Sequence, residues 1–163
     1  MRKIQEHKNT TSREKVENNV EAIYQVAKDY RDIYGQPVKF NKKDKKKLEM
    51  IVNLIDYENV LYKSRGELSK LLGIDDSGNL IRFFRNLDKK EYLRYVSRNN
   101  AYGEDIKPHY IKIYINPIYG WRDSERITKE EALKEYRLYQ DLSEASKFDI
   151  TLSQYFIEVD EFD

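Results

Sequence analysis

The feature that most constrains the fold lies between residues 44 and 117. There, apolar residues recur first with helical spacing and then with the alternating spacing of strands. Three segments have the i, i+3, i+4 spacing of amphipathic helices, namely 45–58, 65–72 and 79–90. Two segments with alternating apolar residues follow, EYLRYVSR and HYIKIYIN, and the polar stretch NNAYGEDIKP joins them as a hairpin loop. Asn116-Pro117 ends the second, because proline cannot donate to a strand ladder.

Capping and turn residues support the same segmentation. Asp44 is predicted to cap the first helix and Ser64 the second, where Glu67 completes a capping box. Gly73 is predicted to end the second helix, and IDDSGN to form the turn before the third. NVLYKS, between the first two helices, is interpreted as a short extended connector. The sequence therefore predicts an α+β fold, with a winged helix-turn-helix domain over residues 44–122.

An additional N-terminal helix is predicted from Arg13 to Tyr34. Its apolar residues recur at steps of three and four: Val16, Val20, Ile23, Ala27, Tyr30 and Tyr34. Thr11 or Ser12 can cap this helix and Gly35 can end it. Such a narrow apolar stripe either docks on its own domain or pairs with its copy in a second subunit, and both alternatives stay open. Residues 1–43 are assigned to this helix and a basic linker, as a candidate dimerisation region.

A C-terminal helix and an acidic segment are predicted for residues 123–163. ITKEEALKEYRLYQDLSEAS opens with a Thr128/Glu131 capping box and continues with helical apolar spacing. The last segment, FDITLSQYFIEVDEFD, interleaves acidic and apolar residues and is interpreted as a docking strand or a frayed tail. Residues 1–47 carry 13 basic against 7 acidic side chains, and residues 123–163 carry 5 against 12. This asymmetry predicts an anionic partner for the basic part of the chain.

The third predicted helix, in GNLIRFFRNLDKKEYL, separates into an apolar and a basic face. At 100° per residue its apolar side chains share one arc: Leu80, Ile81, Phe83, Phe84 and Leu87. The two phenylalanines are therefore predicted to lie in the core rather than to be displayed for stacking. The opposite arc carries long or amide side chains: Asn79, Arg82, Arg85, Asn86 and Lys89.

This basic face has the chemistry of a DNA recognition helix, which enters the major groove in helix-turn-helix proteins. Arginine can pair with guanine O6 and N7, and asparagine with adenine N6 and N7. Asn79, Arg82 and Arg85 are predicted to contact base edges, with Asn86 next. Two further groups are predicted to contact phosphates or the minor groove: Arg94, Arg98, Asn99, Asn100 and Lys107 of the hairpin, and Lys43, Lys45 and Lys46 of the lysine run. Glu104 and Asp105, in the same hairpin loop, oppose this assignment.

The sequence offers no pattern for catalysis, a cofactor or membrane insertion. There is no cysteine, and His7 and His109 stand alone, so neither a zinc cluster nor the paired-histidine site of a nicking enzyme is present. Phosphate-binding glycine loops and nucleophile elbows are also missing from the sequence. No apolar run approaches the ~18 residues of a membrane span. We therefore expect a non-enzymatic cytoplasmic protein without a cofactor.

At LEMIVNLIDY, RGELSKLLGIDDSGNLIRFFRNLDKKEYL and YIKIYINPIYGWRD the sequence resembles the RepL-type replication initiators of small plasmids from Gram-positive bacteria. The likeness spans about residues 48–140, with a closing motif at Asn116, Pro117, Gly120, Arg122 and Asp123. The long N-terminal helix and the acidic C-terminal end depart from the family pattern. The resemblance implies winged-helix elements in a similar order, origin binding and recruitment of host replication proteins.

These observations together predict a sequence-specific double-stranded DNA-binding protein that acts as a homodimer in plasmid or phage replication initiation or its control. A transcriptional repressor of a mobile element would make the same contacts. A segregation adaptor would join DNA to a filament through the acidic C-terminal end, which is also the candidate site for a host, phage or plasmid protein partner. A fourth alternative is a protein-interaction module that touches no nucleic acid.

Overall fold

A computed structural model describes residues 16–37, 40–99, 103–123 and 126–137 of the chain. Within these ranges the fold is α+β, with five α-helices and two small antiparallel sheets. The helices are α1 (Val20–Ala27), α2 (Lys42–Asn53), α3 (Arg65–Leu72), α4 (Asn79–Lys89) and α5 (Lys129–Arg137). The strands are β1 (Val16–Asn18), β2 (Val60–Ser64), β3 (Leu93–Ser97), β4 (Tyr110–Ile115) and β5 (Gly120–Arg122), and a short 3₁₀ helix covers Tyr57–Asn59.

The three-stranded sheet has the strand order β2-β4-β3, with both pairs antiparallel. The predicted hairpin is confirmed, since β3 pairs with β4 from Leu93 opposite Ile115 to Ser97 opposite Ile111. The segment interpreted as a connector is instead the strand β2, which pairs with β4 along its whole length. One face of the sheet carries buried apolar side chains, and the other carries half-buried tyrosines and cations: Tyr62, Arg94, Lys112 and Tyr114.

The helix ends follow local capping chemistry. The Ser64 hydroxyl accepts from the Glu67 N–H at 3.2 Å, and Gly73 ends α3 with a left-handed φ of 64°. The prediction that Asp44 caps α2 is wrong. Asn41 is the cap, because its side-chain oxygen accepts from the Asp44 N–H at 2.7 Å, and the helix begins at Lys42 and ends at Asn53. Asp44 itself is buried and pairs with Lys90 at 3.2 Å.

The predicted long N-terminal helix is also wrong, because β1 and α1 occupy its first half. Strand β1 pairs with β5, and α1 has only eight residues. The chain turns at residues 31–37, where the Asp32 carboxylate accepts from the N–H groups of Tyr34 and Gln36. This local pairing competes with helix formation, and Gly35 lies in the turn with a φ of 77° rather than ending a helix. The cap candidates Thr11 and Ser12 lie outside the described residues.

Part of the predicted apolar stripe docks on its own domain. Val20, Ile23 and Ala27 are buried in the same core cluster as the residues of α2. Tyr34, by contrast, is 80% exposed. The stripe therefore divides at the end of α1, with its first half in the core and its last residue at the surface.

The closing segment after β4 is held by side chains that satisfy buried backbone groups. Asn59 donates to the Gly120 carbonyl at 2.6 Å and accepts from the Arg122 N–H at 2.9 Å, as the peptide group of a neighbouring strand would. Asn116 donates to the Glu91 carbonyl at 2.9 Å and accepts from the Ile118 N–H at 3.2 Å. These contacts fix β5 beside β1 and beneath α2.

Gly120 and Arg122 also have structural roles in this segment. A Cβ at Gly120 would collide with the Val52 side chain of α2, so only glycine fits. The Arg122 guanidinium is buried and donates to the Ile55 carbonyl and to Asp56, each at 3.1 Å.

Helix α5 returns to the folded core. The predicted Thr128/Glu131 capping box is confirmed, with reciprocal hydrogen bonds of 3.1 Å between backbone N–H groups and side chains. Leu133 belongs to the core cluster, and Tyr136 is buried as well. None of the helices in the described ranges has the length and apolar character needed to cross a membrane.

Candidate nucleic-acid interface

The apolar face of α4 seals the core beneath the candidate interface. Leu80, Phe84 and Leu87 are completely buried, while Ile81 and Phe83 are partly buried and pack against the same cluster. The two phenylalanine rings contact each other edge to face, with centroids 5.3 Å apart. The predicted core assignment of both phenylalanines is confirmed.

The opposite face of α4 is open to solvent. All five residues predicted for it are exposed: Asn79, Arg82, Arg85, Asn86 and Lys89. The one carboxylate of the helix, Asp88, is half-buried and accepts from the Tyr95 N–H of β3 at 3.0 Å. Burial raises the pKa of Asp88, against the opposing effects of this hydrogen bond and of Arg94. The carboxylate is thus tied to the sheet, and the exposed face presents cations and amides.

A groove separates α4 from the start of α2, and we call it the α2-side groove. It is lined by Lys43, Lys47, Gly73, Ile74, Asp75, Asn79, Arg82, Phe83 and Asn86. The Lys47 ammonium donates to the Leu72 carbonyl at 3.1 Å, next to the left-handed end of α3. Three cations therefore share this groove with one carboxylate, Asp75, which accepts a hydrogen bond from Ser77.

A second groove lies between α4 and the β3-β4 hairpin, and we call it the hairpin-side groove. It is lined by Arg65, Ile81, Arg85, Tyr95, Ser97, Arg98, Asn99, Pro108, His109 and Tyr110. Its three arginines come from three elements: the first turn of α3, the exposed face of α4 and the hairpin turn. No carboxylate lines the described part of this groove. Asp76 pairs with Arg65 at 3.0 Å, and the charges of Arg85 and Arg98 keep the local electrostatic potential positive.

The hairpin residues predicted to contact DNA divide between the two sides of the sheet. Arg98 and Asn99 are exposed at the turn after β3, beside the hairpin-side groove. Lys107 is exposed as well, with its ammonium 5.3 Å from the centroid of the Tyr110 ring. Asn100 lies outside the described residues.

The acidic residues of the hairpin loop do not share one position. Glu104 folds onto the outer face of the sheet, where it accepts from the Tyr114 hydroxyl at 2.5 Å and from Lys112 at 3.2 Å. Burial raises the pKa of Glu104, but these two hydrogen bonds, together with the positive charges of Lys112 and Arg94, leave the pKa below its ordinary value. Asp105 remains exposed in the loop.

Arg94 belongs to the hairpin, as predicted, but it lies within β3 and not at the loop. Side chains alternate along a strand, so Arg94 points to the face of the sheet opposite to the core and to α4. Its guanidinium carbon lies 4.9 Å from the centroid of the Tyr114 ring and 5.8 Å from that of Tyr136 in α5. It therefore joins α5 to the sheet instead of lining the grooves beside α4.

Lys45 is likewise directed away from α4. Its ammonium forms an ion pair with Glu21 of α1, lies 3.7 Å from Glu49 and stands 4.9 Å from the Tyr24 ring centroid. The pKa of Lys45 is raised, first by the hydrogen bond to Glu21. Of the predicted lysines, Lys43 lines the α2-side groove and Lys46 is exposed on α2.

Two cations beside α4 were absent from the sequence-based prediction, Arg65 and Lys47. Arg65 directly follows the cap residue of α3. Its position at the start of the helix that precedes the turn is the sequence feature that could have predicted its place beside α4. Lys47 belongs to the lysine run, and its four-residue spacing from Lys43 places both on one side of α2. Only the tertiary structure shows that both line grooves beside α4.

Comparison with known proteins finds no family model, curated protein or solved structure that matches this chain. In the ranges that the structure describes, no three metal-ligating side chains come together. The candidate interface therefore has to be interpreted from its own geometry.

Proposed function

We propose that this protein is a winged helix-turn-helix protein that binds double-stranded DNA. The order of elements supports this reading, because α2, β2, α3 and α4 precede a β3-β4 hairpin and the sheet has the order β2-β4-β3. In such a domain α4 is the recognition helix and the hairpin is the wing. The protein acts by binding, without a catalytic step of its own.

The observation that carries the proposal is the division of α4 into two faces. Completely buried side chains fix the helix to the core, while every basic and amide side chain of the other face is exposed. The major groove of B-DNA admits an α-helix, and bidentate pairs of arginine with guanine or asparagine with adenine are each worth ~1–3 kcal/mol of discrimination. We assign Asn79, Arg82 and Arg85 to base edges, with Asn86 next and Lys89 at the end of the helix.

A role in plasmid or phage replication initiation, or its control, is proposed from the resemblance to RepL-type initiators. The residues that carry its closing motif have structural roles here. Asn116 bonds to buried backbone groups, Gly120 packs against Val52 and Arg122 pairs with Asp56. The motif therefore supports a shared fold more directly than a shared activity. Footprinting on plasmid and phage genomes tests the role, since origin repeats support an initiator and promoter overlap supports a repressor.

We further propose that the protein acts as a homodimer, which would present two α4 helices to half-sites about one DNA turn, ~34 Å, apart. Exposed apolar side chains at and after the end of α1 support this: Val26, Ile33 and Tyr34. A second copy would remove this apolar surface from water. The acidic residues proposed to bind a host, phage or plasmid protein lie outside the described residues.

The proposed base contacts are tested by the double variant Arg82→Ala/Arg85→Ala. Two lost pairs at ~1–3 kcal/mol each predict a drop of roughly 30-fold to 10⁴-fold in affinity for the preferred duplex, and less for random duplex. The matched control is Arg126→Ala/Lys134→Ala, which removes two cations that are 79% and 70% exposed and lie outside both grooves. Gel-shift titration at two salt concentrations measures both variants.

The fold is expected to survive in the double variant because both arginine side chains point into solvent. Circular dichroism checks this point. Unchanged affinity of a folded double variant would refute the assignment of α4 as the recognition helix. Equal losses of affinity in the test and control variants would mean that binding depends on net charge and not on the arginines of α4.

A further inference from the structure

The hairpin-side groove differs from the other groove beside α4 in the type of its cations. Arg65, Arg85 and Arg98 line it, and Asp76 pairs with Arg65, whereas the α2-side groove has two lysines, one arginine and Asp75. The hairpin side therefore offers guanidinium groups alone to an anionic ligand. The planar guanidinium group can bind a phosphate through two parallel hydrogen bonds, which a lysine ammonium cannot do.

Arg65 is held in this groove by two contacts from different elements. Its Nε donates to the Asp76 carboxylate at 3.0 Å, and one terminal nitrogen lies 3.5 Å from the Asp76 carbonyl oxygen. Its backbone N–H donates to the His109 carbonyl at 2.8 Å, which ties the start of α3 to the chain entering β4. The side chain is 32% exposed, so the anchored guanidinium still reaches solvent in the groove.

We propose that the hairpin-side groove holds the sugar-phosphate backbone of one DNA strand, with Arg65 as a phosphate-contacting residue positioned by Asp76. The inference rests on the proposed function, because a helix that enters the major groove has a phosphate backbone on each of its sides. Arg98 at the hairpin turn contacts the same strand. The Arg65 Nε–H group donates to Asp76, and this contact orients the guanidinium. The outer N–H groups of its two terminal nitrogens then face the phosphate. The contact is independent of base sequence.

The test is the salt dependence of binding to random-sequence duplex DNA. Each phosphate contact contributes ~0.9 to the slope of log affinity against log salt. Arg65→Met keeps the length of the side chain and removes the charge, so the slope falls by about one and the affinity falls roughly tenfold for random and preferred duplexes alike. Arg65→Lys keeps the slope but lowers the affinity, because an ammonium cannot pair with Asp76 and bind phosphate through a fork.

Arg126→Met is the matched control, since Arg126 lies outside both grooves and should leave slope and affinity unchanged. Arg98→Met, at the exposed hairpin turn, is a second variant with the same expected loss of slope, and it keeps the test valid if Arg65→Met lowers stability. An unchanged slope in both variants, with wild-type binding intact, would overturn the inference and leave the proposed function standing. A wild-type chain that binds no duplex at either salt concentration would overturn both.

Discussion

Gly120, a residue of the closing motif, packs against α2. We predict that substitution of this residue lowers the stability of the fold. A Cβ added at Gly120 meets both γ-carbons and the β-carbon of Val52, which is completely buried. Val52 is β-branched and has one strongly preferred rotamer in a helix, so it cannot swing away. Gly120→Ala should therefore lower the free energy of unfolding by ~1–3 kcal/mol, the usual cost of overpacking.

Val52→Ala alone removes two buried methyl groups and should lower the free energy of unfolding by ~2–3 kcal/mol through lost burial and a cavity. In the double variant the new methyl at position 120 loses its collisions with both γ-carbons and keeps only the 3.2 Å contact with the β-carbon, so most of its own cost should disappear. Urea unfolding of the four chains measures a coupling of ~1–3 kcal/mol. Additive effects within ~0.5 kcal/mol would refute the packing argument. Under the proposed function, preference among DNA sequences should stay unchanged in every folded variant.

Two further predictions concern pH and assembly. The lowered pKa of Glu104 means that its ionised form stabilises the fold at neutral pH and that this stabilisation is lost as pH falls through ~4.3 and below. Glu104→Gln should therefore show a flatter decline of unfolding free energy from pH 6 to 3, and a decline as steep as that of the wild type would contradict this. Ile33, which is 86% exposed, is proposed to lie between subunits. Ile33→Lys should then shift a sedimenting dimer to monomer, whereas unchanged mass would exclude this surface.

Local patterns predicted the parts of the fold that depend on neighbouring residues. The buried and exposed faces of α4, the side-chain cap at Ser64, the capping box at Thr128 and the β3-β4 hairpin are all determined within about twenty residues of sequence. The period of apolar residues directly reports which face is buried. The exposed residues of α4 were predictable for the same reason, although their contact with DNA remains a prediction.

The errors arose where distant residues determine the structure. Val16 fits a helical stripe by spacing, yet it pairs with Arg122 across more than one hundred residues, and spacing alone does not report such a partner. Asn59 has an ordinary loop sequence around it, and its two bonds to β5 are visible only in the folded chain. Arg94 was grouped with the other hairpin cations as a predicted DNA contact, whereas strand alternation directs it to the face of the sheet opposite to α4.

The pairing of β1 with β5 brings together the two ends of the segment between Val16 and Arg122. An ion pair between Glu17 and Lys129 extends this proximity into α5. The start of β1 and the end of β5 are therefore neighbours, and close ends of this kind are the arrangement that domain insertion and circular permutation require. Fluorophores attached to cysteines introduced at positions 17 and 123, which are both exposed, would consequently report unfolding of the chain between them as a loss of energy transfer.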